Sequence, residues 1–232
     1  MYPEYLQNSD TQDMVRRVSE LALSDEPALR AHCQEVSRQT DTSSLCVGKD
    51  CIAQVNAANR ELAIIGKSLQ ELSQLLSQSA GVFRTQDGKG DFPTVCGAVQ
   101  EIESARRRLL LSVGELSKLR QSLFKSVAKA NEGLHFISIA ARTVREDLRS
   151  PYREAEEQLA AAYERMVELD CTIRESQAFY MAMVERHLPS FMRELRAAAD
   201  FNHAGEALDR HAVRALCGEL LRLLGRTPNV SF

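Results

Sequence analysis

The sequence predicts an all-α protein: an elongated helical bundle or coiled coil with three long seam-bearing helices and short terminal helices. Three observations carry that prediction. Apolar residues recur at seven-residue intervals over long stretches, the interval of a helix that buries one seam. Only 11 glycines and 6 prolines occur in 232 residues, too few for a turn-rich β or α/β fold. No stretch alternates polar and apolar residues as a half-buried strand does. Trp is absent and aromatic residues make up 6% of the chain, so the core must be built from Leu, Ile, Val, Ala and Met.

The elements follow in order. A short first helix is expected from about Thr11 to Leu23, with Val15, Val18 and Ala22 on one stripe. Ser24-Asp25-Glu26-Pro27 marks a second start, because a small acceptor precedes a proline in the first turn, where its missing N–H costs nothing. This second helix is expected to end near Arg38, with the polar run 39–44 as a loop. The first seam comes next. Val55, Leu62, Leu69 and Leu76 share one interval, and Ala58, Ile65 and Leu72 follow the first three by three residues. That pattern predicts a helix from about Val47 to Val82. The run RTQDGKGDFP at 84–93, with two glycines and a proline, is the clearest loop.

After Pro93 the interval returns as Val95, Ile102, Leu109, Leu116, Leu123, Ala130, Ile137 and Val144. So sustained a stripe means one long helix, in which Gly133 is the single weak point, a kink or a break. Ser150-Pro151 opens a new register with Tyr152, Leu159, Met166, Ile173 and Tyr180. Pro189 is expected to end that helix and Ser190 to start another. Gly205 separates a last leucine-rich helix, from about Glu206 to Leu224, and Asn229–Phe232 is expected to fray. The chain divides accordingly into terminal short helices at 1–44, a long-helix core at 45–188 and a C-terminal helical segment at 189–232.

Charge varies along the chain although the net is only −3. Residues 1–93 and 150–188 each carry −4, residues 94–149 carry +4, and the rest carries +1. Opposite charge on flanking positions favours packing of the third segment beside the fourth. The opening MYPEYLQNSDTQD lacks a basic and then apolar leader, and no run approaches a membrane span. The six cysteines are scattered through helical text instead of framing loops. These features predict a cytoplasmic protein in a reducing compartment.

Two sets of residues are candidates for contact with partners. Arg107, Lys118, Lys125 and Lys129 fall in one helical sector and could meet an anionic surface. The low overall charge and the lack of interleaved aromatics argue against nucleic acid. Leu208, Val213, Leu216, Leu220, Leu223 and Leu224 give the last helix a broad apolar face, suited either to a partner's groove or to capping the chain's own core.

Catalytic signatures are not found. Glu132-Gly133-Leu134-His135 and Asp200-Phe201-Asn202-His203 have a di-metal spacing, but the first pair points away from the seam. Cys46 and Cys51 lack a second ligand pair, and Asp87-Gly88-Lys89-Gly90 lacks the strand and Lys-Ser/Thr of a phosphate loop. No enzyme, metal or cofactor is therefore expected. The sequence predicts a scaffold or adaptor that binds other proteins by helix packing, as a homo- or hetero-oligomer or a subunit of a larger cytosolic complex of cytoskeletal or trafficking type. The alternative is a membrane-surface dimer similar in shape to BAR domains. A helical enzyme without a recognisable motif is a third class.

Overall fold

The computed structural model describes residues 8–78, 92–203 and 210–228, and every regular element among them is helical. The expected loop at 84–93 falls outside them up to Asp91, as do Val82, Gly205, Glu206, Leu208 and Asn229–Phe232. The side chains of Val95, Asp200 and His203 lie outside them as well.

The chain forms α1 (Asn8–Ser24), α2 (Glu26–Gln78) and α3 (Phe92–Thr143), then a 3₁₀ turn at Glu146–Leu148. It continues as α4 (Ser150–Ala182), a π-helical turn at Met183–His187, α5 (Leu188–His203) and α6 (Arg210–Leu224). The predicted start of α2 has its cap: the amide of Ala28 donates to Asp25 Oδ1 at 3.2 Å, satisfying an amide that has no helical partner.

Three expectations are corrected here. The run 39–44 is not a loop, since α2 is unbroken from Glu26 to Gln78. The seam spacing explains why. Leu29, Cys33, Ser37, Thr40, Ser44, Cys51 and Val55 are all buried, and Gly48 with them. The three-and-four interval continues through the polar stretch, with hydroxyls and a glycine in place of aliphatic residues. Buried serines tolerate this because Ser37 donates to Gln158 Oε1 at 3.3 Å and Ser44 to the Asp41 carbonyl at 2.7 Å.

Gly133 is the second correction. It neither kinks nor breaks α3 but lies buried in mid-helix. A Cβ there would meet Val36 Cγ1 at 3.0 Å and Leu159 Cδ2 at 3.1 Å. Absence of a side chain is what lets α2 and α4 close in, and that packing offsets the low helix propensity of glycine.

Pro189 is the third. The helix does not end there; it widens by one π turn and runs on into α5. Proline cannot donate to a preceding carbonyl, and its ring crowds the turn before it. The amide of Leu188 reaches back five residues to the Met183 carbonyl. In that register the Val184 carbonyl would need the amide of residue 189, which proline lacks. Arg106 Nη1 supplies the missing donor at 3.1 Å. Its guanidinium is held in place by Glu103, through Nε at 2.9 Å and Nη2 at 3.0 Å.

Two compact units emerge. The first combines the described residues up to Asp50 with Leu119–Cys171, and the second combines Cys51–Lys118 with described residues from Thr172 onward. In the first unit α2 and α4 run parallel, tied by Tyr152 to Glu26 and by Ser37 to Gln158. Within it α3 runs antiparallel to α4: Gly133 lies against Leu159, and Arg120 Nε donates to Asp170 Oδ1 at 2.8 Å. In the second unit α3 runs antiparallel to α2, from Gln54 and Ser112 through Arg108 and Glu61 to Ser68 and Glu101. Every α3 seam residue from Ile102 to Val144 is buried, as are all those named in α2 and α4.

Candidate functional site

A heptad seam leaves the rest of the helix surface to solvent, and the basic candidates of α3 are exposed on it. In the second unit Arg107 and Lys118 are exposed, each engaged by a glutamate of its own helix. Arg107 Nε is 3.4 Å from Glu103 Oε1, and Lys118 Nζ is 2.6 Å from Glu115 Oε1. Leu110 and Leu111 stand beside them, both exposed, Leu111 at 70%.

In the first unit Lys125 and Lys129 are exposed, and neither has a carboxylate partner among the described residues. Phe124, next to Lys125, is 70% exposed. Lys129 also lines a cleft of about 70 Å³ with Val36, Gln39, Thr40, Ser43 and Ser126. Four of these six residues come from the α2 segment whose polar seam resembles, by sequence, a short helix end and a loop. The signal that marks them is the spacing of Ser37, Thr40, Ser44 and Cys51, which keeps the helical interval without aliphatic residues.

The C-terminal candidates separate by burial. Val213 and Leu220 are buried, with Cys217 between them, whereas Leu216, Leu223 and Leu224 are half-buried. Leu208 is outside the described residues. Helix α6 belongs to the second unit, where Leu224 Cδ1 lies against Gly66 and Asn59 Nδ2 donates to the Pro228 carbonyl at 3.0 Å. Asn59 Oδ1 in turn accepts from the Tyr180 hydroxyl at 2.7 Å. This polar chain ties α4, α2 and the segment that follows α6 together, and burial pushes the Tyr180 phenol up to about 12. A partner would reach Val213 and Leu220 only after α6 had lifted from this packing.

The remaining motifs do not converge. Glu132 is exposed, and His135 is half-buried with Nε2 unpartnered. Cys46 is exposed while Cys51 is buried on the same helix, so their side chains face apart. Burial pushes the Cys33 thiol up to about 12 and that of Cys217 to about 11, which suits packing and opposes nucleophilic use at neutral pH. No group of three or more potential metal ligands occurs among the described residues. Among them, too, no helix is long and apolar enough to cross a membrane. No family model, curated protein or solved structure matches the chain.

Proposed function

We propose that the chain is a non-catalytic helical scaffold or adaptor, a subunit of a cytoplasmic protein assembly that binds its partners through the outer faces of its long helices. The observation that carries this reading is the exposure of Leu111 and Phe124 on α3. Both lie outside the buried α3 seam, so most of their apolar surface is left in water. Large side chains so placed gain free energy when a partner helix or groove covers them.

Replacing Leu111 and Phe124 together by Glu tests it. Helicity and melting temperature should stay as they are, while self-association in sedimentation and recovery of protein partners by the intact chain should both fall. A variant that keeps all its associations refutes the assignment of this face.

A second reading, contact with an anionic membrane surface, is favoured by Lys125 and Lys129, whose charges no carboxylate meets among the described residues. Lysines beside an exposed Phe suit a surface of acidic headgroups. Salt-sensitive pelleting with anionic vesicles, abolished when both lysines become Gln, would establish this reading over the first.

A further inference from the structure

The cleft in the first unit is lined by apolar surface interrupted by a few polar groups. Gln39, Thr40 and Ser43 of α2 and Ser126 of α3 supply neutral hydrogen-bonding groups, Lys129 supplies a cation, and Val36 forms an apolar wall. Among the described residues no carboxylate lines it. Thr40 is buried, and neither its hydroxyl nor that of Ser43 has a hydrogen-bond partner among the described residues. The Ser126 hydroxyl is turned onto the Ser122 carbonyl at 3.2 Å, a weak contact that it can exchange for another.

Two acids stand near, and both are engaged. Glu35 accepts from Arg38 Nε at 2.8 Å, from Arg38 Nη2 at 2.7 Å and from Gln39 Nε2 at 2.6 Å. Those donors hold its carboxyl down at about 2, and Arg38 offsets the charge that results. Asp41 is bound by Arg165. The unmet charge at the cleft is that of Lys129, with Lys125 one turn before it.

The volume narrows the ligand. About 70 Å³ holds a few waters or one small oxyanion and falls far short of the several hundred Å³ that enclose a metabolite. We propose that this cleft binds a phosphate-class oxyanion, with the Lys129 ammonium opposite its charge and the Thr40, Ser43 and Ser126 hydroxyls donating to its oxygens. The ligand is either free phosphate or the phosphomonoester of a lipid headgroup. The proposal stands independently of the scaffold reading, and a lipid source would add a site to the membrane reading.

Inorganic phosphate titrated into the intact chain at fixed ionic strength provides the test, followed through the backbone amide resonances of Thr40, Ser43, Ser126 and Lys129. Saturable shifts are expected, and Lys129→Gln should weaken the affinity about tenfold or more, as a charge-assisted hydrogen bond is lost. Arg142→Gln, exposed on the same helix about three and a half turns beyond Lys129, should leave the affinity unchanged. Absence of a saturable shift at high millimolar phosphate, or equal affinity in the Lys129→Gln protein, overturns the proposal.

Vesicles of phosphatidylcholine containing phosphatidic acid identify the source, with phosphatidylserine vesicles as a charge control. Preferential, Lys129-dependent pelleting with phosphatidic acid assigns the headgroup. Saturable phosphate shifts without such pelleting assign the free ion.

Discussion

Helix α2 carries one spacing and two chemistries. In the second unit its buried positions are Cys51, Val55, Ala58, Leu62, Ile65, Leu69, Leu72 and Leu76, with Ser68 the one buried hydroxyl among them; in the first they are Leu29, Cys33, Ser37, Thr40, Ser44 and Gly48. The interval is the same, so both halves are helical with the same kind of seam. What differs is how helices are held. The aliphatic half gains most from removing methyl groups from water. The polar half gains from close approach, seen where Val36 and Leu159 converge on Gly133, and it leaves a cleft beside Thr40. Periodicity decides the element, and residue size decides whether the element is sealed or open.

The largest effect should therefore fall in the second unit. Leu69→Ala or Leu116→Ala removes a fully buried side chain and should cost ~2–5 kcal/mol, transfer and cavity terms together. Ser37→Ala in the first unit should cost about 1 kcal/mol or less, because it loses a single hydrogen bond to Gln158, which is itself exposed. Urea unfolding of the three variants measures this contrast. Equal losses would show that the two seams do the same work.

Gly133 tests the polar half from the opposite direction. Gly133→Leu forces a side chain against Val36 and Leu159 and should destabilise by ~1–3 kcal/mol through overpacking. Gly133→Ala sets a helix-propensity gain of about 1 kcal/mol against milder crowding, and should lie well above the Leu variant in thermal melts. If Leu is accepted without loss, the close approach is not what selects glycine.

A smaller effect belongs to the π turn. Arg106→Met leaves the Val184 carbonyl without its donor and should cost about 1–2 kcal/mol. Glu103, hydrogen-bonded chiefly by Arg106, has its carboxyl held below the ordinary range. A carboxyl lowered on folding stabilises the fold above its unfolded pKa, and that contribution fades as the pH falls through the lowered value. Stability of the parent protein should thus drop on acidification more than that of Arg106→Met. Parallel pH profiles would separate Glu103 from the turn.

The helical class and the aliphatic seams were legible in the sequence because leucines at a fixed interval announce themselves. The basic face of α3 was legible for the same geometric reason. Less legible was anything that depends on what faces a residue from another element. Ser37, Thr40 and Ser44 look like loop residues unless their spacing is read without regard to hydropathy, and Gly133 looks like a break until Val36 and Leu159 are seen against it. Pro189 ends a helix by local rules; only Arg106, 83 positions earlier, supplies the donor that lets the chain continue. Gln39, Thr40, Ser43, Ser126 and Lys129 come together from two helices, and no local motif gathers them.

The smallest stability effect should come from Thr40→Val, which sharpens the comparison most. Valine keeps the branched shape of threonine and replaces a hydroxyl that has no hydrogen-bond partner among the described residues. No protein bond is broken, no methyl is lost and the cleft keeps its size. What is lost is an anchor for water or an oxyanion. The change should stay within about 1 kcal/mol of zero, since replacing an unpaired polar group by an apolar one of like shape is close to neutral. Amide exchange over residues 37–48 should be unchanged or slower in the variant, and phosphate-induced shifts at Ser43 and Ser126 should weaken. A loss above about 2 kcal/mol, in the range of a partner removed from a buried group, would mean that this hydroxyl holds the helices together and that the first unit is sealed like the second.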